Sequence, residues 1–136
     1  MAIITLCGSG KFRDLVHGIA QRLINRGMVV LAPPLHDISV LAKGAEPEGV
    51  LLAWKGATHA HLKRIATSNV CVIVNPGGYL GASSTMEMGY AVALQKLVIA
   101  LAHDSELARE ALFDIVLETE NEEDAAERIY DIVTSI

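Results

Sequence analysis

Val70-Cys71-Val72-Ile73-Val74-Asn75-Pro76-Gly77-Gly78-Tyr79-Leu80-Gly81-Ala82-Ser83-Ser84-Thr85-Met86-Glu87-Met88-Gly89-Tyr90-Ala91 is the stretch that decides the fold. Its first five residues are apolar and rich in β-branched side chains, the pattern of a strand buried on both faces. A helical pattern runs from Met86 to Leu94. Glycines, hydroxyls and one carboxylate, Glu87, lie at the junction. A strand, a Gly-rich turn and a helix start build small-molecule sites in α/β proteins, because backbone N–H groups and the helix dipole converge there.

The same alternation extends outward in both directions. Ala2 to Cys7 reads as a first strand, Gly8-Ser9-Gly10 as its turn, and Lys11 to Asn25 as a helix with Phe12, Leu15, Val16, Ile19 and Leu23 at helical spacing. Gly27 stops that helix. Met28 to Ala32 forms a second strand, ended by Pro33-Pro34. Leu35 to Gly49 has no clean period and reads as a long, mobile loop of the kind that carries lids. A helix from Val50 or Lys55 to Thr67 precedes strand three, Asn69 to Val74. Leu97 to Leu101 is strand four, Ser105 to Ala111 a helix, and Phe113 to Leu117 a short strand five. Asn121 or Glu122 opens the last helix, whose acidic first turn suits the dipole.

Strands alternating with helices imply a parallel sheet covered on both faces. The expected architecture is a flavodoxin-like, Rossmann-like three-layer α/β sandwich with five parallel strands in the order 2-1-3-4-5, spanning residues 1–136 as one domain. Ligands in such sheets bind beyond the carboxyl ends of the strands, where the order reverses, between strands one and three. Topology therefore brings Gly8-Ser9-Gly10 and the Asn75–Ser84 turn into one crevice.

The bulk composition bounds the function. The chain has 136 residues, 51% hydrophobic and 20% charged, with a net charge of −5. It lacks the basic footprint of a protein that binds nucleic-acid polymers. No apolar run is long enough to span a membrane, and there is no signal-peptide pattern, so a cytoplasmic location is expected. Cys7 and Cys71 each sit inside a strand pattern and read as buried free thiols. His59 and His61 are two apart and fall on different helix faces, a poor spacing for a metal. His36 and Asp37 lie in the long loop, and His17 and His103 read as surface or helix-end residues. No metal site and no cofactor are expected.

Gly8, Ser9, Gly10, Asn75, Gly78, Tyr79, Ser83 and Ser84 are the candidate substrate contacts. One of Ser83, Ser84 and Thr85 is needed as a helix cap; the surplus hydroxyls suit a sugar or a phosphate. Tyr79 can stack on a base or pack on a neighbour. Glu87 can serve the helix dipole, or act in the crevice as nucleophile, general base or partner of a sugar hydroxyl.

Ile4-Thr5-Leu6-Cys7-Gly8-Ser9-Gly10-Lys11-Phe12, His61-Leu62-Lys63-Arg64-Ile65 and Ser84-Thr85-Met86-Glu87-Met88-Gly89-Tyr90-Ala91 together resemble the nucleoside 2-deoxyribosyltransferase-like family, from the first strand to about Leu101. The resemblance implies a flavodoxin-like fold, a (deoxy)nucleoside or 5′-monophosphate as partner, and cleavage or transfer at an N-glycosidic bond. It implies Glu87 as the residue that attacks the anomeric carbon, Ser84 as a phosphate contact, and a homo-oligomer. Where the family's transferases carry aspartates, this chain has His61 on the helix before strand three and Gly81 before the hydroxyl turn. His61, His36 or Asp37 then becomes the candidate acid for the leaving base. Pro76-Gly77-Gly78 followed by Glu87 is also similar, more weakly, to the signature of cytokinin-activating phosphoribohydrolases. The missing aspartates leave an alternative, a non-catalytic nucleotide-binding or sensing module of the same fold.

Overall fold

The computed structural model describes residues 1–33, 38 and 42–136. The chain runs β1 (Ile3–Gly8), a 3₁₀ turn at Gly10–Phe12, α1 (Arg13–Asn25), β2 (Val29–Leu31), α2 (Pro47–Thr67), β3 (Val70–Val74), a 3₁₀ turn at Pro76–Gly78, α3 (Ala82–Ala93), β4 (Leu97–Ala100), α4 (Leu107–Glu110), β5 (Ile115–Val116) and α5 (Glu122–Thr134). The five strands are all parallel and ordered β2-β1-β3-β4-β5. This is the flavodoxin-like arrangement that the alternation of elements predicts.

Residues in a strand alternate between the two faces of the sheet, and here the alternation sorts the chemistry. Ile4, Leu6, Val70, Val72 and Val74 face α1 and α5, where they pack with Ile19, Leu23 and Ile129. Cys7, Cys71 and Ile73 face the other way, toward Ile65 of α2 and Met88 of α3. The side carrying α2 and α3 therefore receives both thiols.

Gly8 ends β1 opposite Val74, the last residue of β3. A Cβ at Gly8 would lie 3.0 Å from the Val74 carbonyl oxygen and 3.2 Å from the Val16 side chain. Only a bare Cα lets β1 and β3 close so tightly at the point where the crevice opens.

Several boundaries differ from the sequence expectation. Helix α3 starts at Ala82 rather than Met86, and Gly81 is its N-cap, with no side-chain cap bond. None of Ser83, Ser84 and Thr85 caps it, because all three lie inside the helix; the Thr85 hydroxyl donates back to the Gly81 carbonyl at 2.8 Å. Glu87 is consequently in the second turn, past the reach of a simple dipole role. Helix α2 starts at Pro47, where a proline is tolerated at a first helical position, so it takes in residues expected to be loop. His36 and Asp37 lie outside the described residues, as does part of the Leu35–Gly49 loop. Helix α4 and strand β5 are shorter than expected, with four and two residues. The last helix begins as predicted, with the Asn121 side chain accepting from Asp124 N at 2.8 Å.

Candidate active site

A cavity of about 600 Å³ opens beyond the carboxyl ends of β1 and β3. It is large enough for a nucleoside-sized molecule. Its walls come from separate elements: Gly8, Ser9 and Gly10 after β1; Arg13, Val16 and His17 of α1; Trp54, Thr58 and His61 of α2; Ser83, Ser84, Glu87 and Tyr90 of α3. Ser84 is buried and Ser83 exposed at its rim.

Glu87 and His61 form the polar floor. His61 Nε2 lies 3.1 Å from Glu87 Oε2, and both side chains are largely buried. On its other side, His61 Nδ1 lies 3.3 Å from Arg64 Nη1. A guanidinium has only donors, so Nδ1 accepts. Neutral His61 then carries its proton on Nε2 and donates it toward Glu87. Cys7 Sγ sits 3.4 Å from the same Nε2 and 3.5 Å from Cys71 Sγ.

Burial shapes the protonation of this group. It lifts the Glu87 carboxyl to about 7, against a smaller downward pull from Arg64. Burial, and then the Arg64 guanidinium, push His61 down to about 4, against a smaller opposing effect of the Leu6 carbonyl. The Cys71 thiol, then burial, hold Cys7 well above its usual range. Near neutral pH the floor thus holds a neutral imidazole, a neutral thiol and a carboxyl close to half ionisation. A carboxyl poised near neutral pH in a cleft makes Glu87 a candidate functional group.

Of the residues expected at the site, Gly8, Ser9, Gly10, His61, Ser83, Ser84 and Glu87 meet at the cavity. Asn75, Gly78 and Tyr79 do not line it. Fully buried Asn75 splices β3 to the end of β4: its Nδ2 donates to the Ala102 carbonyl at 2.9 Å, and its Oδ1 accepts from Leu101 N and Ala102 N. Gly78 holds φ at +80°, and a Cβ there would fall 2.6 Å from the His103 carbonyl oxygen. Tyr79 packs edge-on against Phe12 at 5.9 Å, with Lys11 Nζ 4.0 Å above its ring. The Asn75–Tyr79 segment ties the scaffold together, and the wall begins at Gly81.

Arg13, His17, Trp54, Arg64 and Tyr90 also line the cavity and were not singled out in the sequence. Among the described residues His17 Nε2 is buried without a hydrogen-bond partner, where a surface or helix-end residue was expected. The signal was present: Trp54, Thr58, His61 and Leu62 follow one another at i, i+4, i+7 and i+8, a single helical stripe. His59, off that stripe, is exposed. His103 is exposed as expected, and pairs with Glu110 and Glu118.

No protein-family model and no curated protein matches the chain by sequence. Solved structures match it in fold. A 2-deoxyribosyltransferase from the psychrotolerant bacterium Bacillus psychrosaccharolyticus superimposes with a TM-score of 0.61 at 16% identity, covering 92% of this chain and 90% of that one. A conserved protein from Enterococcus faecalis V583 gives 0.56 at 19%, covering 96% and 98%. The CMP N-glycosidase BcmB of Clostridium botulinum gives 0.58 at 12%, covering 93% and 97%. At these identities the likeness is one of fold. Among the described residues, no helix is long and apolar enough to cross a membrane.

Proposed function

We propose that this protein cleaves or transfers at the N-glycosidic bond of a (deoxy)nucleoside or its 5′-monophosphate, with Glu87 as the nucleophile. The observation that carries the reading is the His61–Glu87 pair at 3.1 Å on the floor of a cavity at the β1/β3 switch point. The fold supports it, since a 2-deoxyribosyltransferase and a CMP N-glycosidase share that fold.

In this mechanism a Glu87 carboxylate oxygen bonds to the anomeric carbon as the C–N bond breaks. The base leaves with the electron pair of that bond and takes up a proton from His17 or from water. Water or a second base then attacks the same carbon and releases the Glu87 carboxylate. His61 orients Glu87 through its Nε2–H. Gly8, Ser9, Ser83 and Ser84 hold the sugar and any phosphate, and Trp54 offers a face to the base.

One observation favours the second reading, a non-catalytic nucleotide binder. Among the described residues Glu87 is the sole carboxylate on the cavity wall, so no second acid stands ready for the leaving base. A panel of nucleosides, deoxynucleosides and their monophosphates, incubated with and without a free acceptor base and read by chromatography, decides. Free base indicates hydrolysis, exchanged base indicates transfer, and thermal stabilisation without turnover indicates the binder. As family relatives do by resemblance, the chain is expected to form homo-oligomers, which light scattering would measure.

A further inference from the structure

Cys7, His61 and Glu87 reach one point from three different elements, β1, α2 and α3. One donor atom of each, Sγ, a ring nitrogen and a carboxylate oxygen, lies within 4.8 Å of the others. Thiolate, imidazole and carboxylate form a ligand set suited to Zn²⁺. The spacing also fits: with Zn–N of about 2.0–2.1 Å, Zn–O of about 2.0–2.2 Å and Zn–S of about 2.3 Å, a tetrahedral ion holds N and O about 3.4 Å apart and N and S about 3.5 Å apart. Here His61 Nε2 is 3.1 Å from Glu87 Oε2 and 3.4 Å from Cys7 Sγ. Those two pairs need to shift by no more than a few tenths of an ångström, and the Cys7–Glu87 pair lies within 4.8 Å. His61 and Glu87 line the cavity, so an ion between them has access from solvent and a fourth position facing the pocket. Helix spacing of the histidines hid this set, because its three members are far apart in sequence.

We propose that Cys7, His61 and Glu87 bind a borderline-soft divalent cation, Zn²⁺ by preference, with the fourth coordination position open to the cavity. Binding replaces the Cys7 thiol proton, and any proton on Glu87, with the metal and releases them to solvent. Arg64 on His61 Nδ1 leaves Nε2 as the nitrogen facing the other donors. The imidazole stays neutral on binding: its proton shifts from Nε2 to Nδ1, with Arg64 turning away. A bound ion also occupies the Glu87 carboxylate. Resting on the proposed glycosidic chemistry, a second consequence is that the cation and nucleophilic attack by Glu87 exclude each other.

Cobalt reports the site directly. One equivalent of Co²⁺ added to the full-length, chelator-treated chain should produce a thiolate-to-cobalt charge-transfer band, and Zn²⁺ should bleach it. Cys7→Ala should abolish the band while Cys71→Ala keeps it, and Glu87→Gln should weaken Co²⁺ binding by about tenfold or more. Circular dichroism checks each variant; if Cys7→Ala does not fold, Glu87→Gln carries the test. No band in the wild type, a band that survives Cys7→Ala, one lost in Cys71→Ala, or unchanged affinity in Glu87→Gln overturns the site. Zn²⁺ should inhibit base release in the nucleoside panel, and chelator should restore it. A cobalt band with no turnover on any substrate keeps the metal site and removes the glycosidic reading; turnover with no band does the reverse.

Discussion

His61 and Glu87 are joined side chain to side chain at 3.1 Å, and the direction of that hydrogen bond is set from behind by Arg64 at 3.3 Å. The guanidinium cannot accept, so the imidazole must present its N–H to the carboxylate. A carboxylate on a helix otherwise has several rotamers open to it, and the hydrogen bond from His61 favours the one that meets the imidazole.

Replacing Glu87 tests the chemistry most directly. Glu87→Gln keeps the size and an oxygen that accepts from His61, but it cannot form the glycosyl bond. Base release should fall by about 1000-fold or more, while substrate still raises the melting temperature. Full activity in this variant would remove Glu87 as nucleophile.

The pH dependence of the reaction follows from which form attacks. Only the carboxylate is nucleophilic, and burial holds Glu87 near 7. The kcat/KM for base release should therefore climb about tenfold per pH unit below 7 and level off above it. A profile flat from pH 5 to 9 would contradict this.

Stability should carry the opposite signatures of the two groups. Glu87 rises from its ordinary 4.5 to about 7 on folding, so folding takes up a proton there and stability falls as pH rises through that window. His61 drops from its ordinary 6.5 to about 4, so folding releases a proton and stability rises with pH between those values. Between 4.5 and 6.5 the two cancel. Urea unfolding should thus show, relative to wild type, that Glu87→Gln gains stability from pH 4.5 to 7 and that His61→Asn loses it from 4 to 6.5. Each change should be on the order of 3 kcal/mol. Slopes of the same sign in the two variants would refute the assignment.

Gly78 separates scaffold from wall. Gly78→Ala forces a side chain into the left-handed region and against the His103 carbonyl. It should cost about 1–3 kcal/mol in chemical denaturation. The KM of the folded variant should match wild type, since Gly78 does not line the cavity.

Ser84 does line it, buried near the start of α3. Ser84→Ala should raise the KM for a nucleoside monophosphate by about 10-fold or more, the strength of a hydrogen bond to a charged group. A smaller rise for the unphosphorylated nucleoside would locate the phosphate; equal rises would place the sugar hydroxyls there instead.

The fold was legible in the sequence because each strand is a short apolar run and each helix a periodic one. Val70–Val74 and its partners alternate so regularly that strand order followed from connectivity alone. Gly8, Ser9 and Glu87 were legible for the same reason, as they sit next to strand ends or on a helix that follows one. Asn75 and Tyr79 do not line the cavity, and a turn's residues do not declare which way they face. Asn75 turned inward to satisfy the amides at the end of β4, and Tyr79 turned toward Phe12. Trp54 escaped notice, and His17 was read as a surface or helix-end residue, because their place on the wall depends on how α1 and α2 lie across the sheet. The Cys7 contact with His61 joins residues on separate elements, which no local pattern records.

The pairing of Gly8 with Val74 has a further consequence, for how the site comes into being. β1 and β3 are neighbours in space but distant along the chain, with α1, β2 and α2 between them. The N-terminal β–α–β unit can gather its local contacts early, yet the floor waits for a long loop to close and then for α3 to dock. A nascent or truncated chain ending before α3 carries Gly8, Ser9 and His61 with no Glu87 to meet them. A chain without α3 therefore lacks both the His61–Glu87 pair and the α3 wall of the pocket.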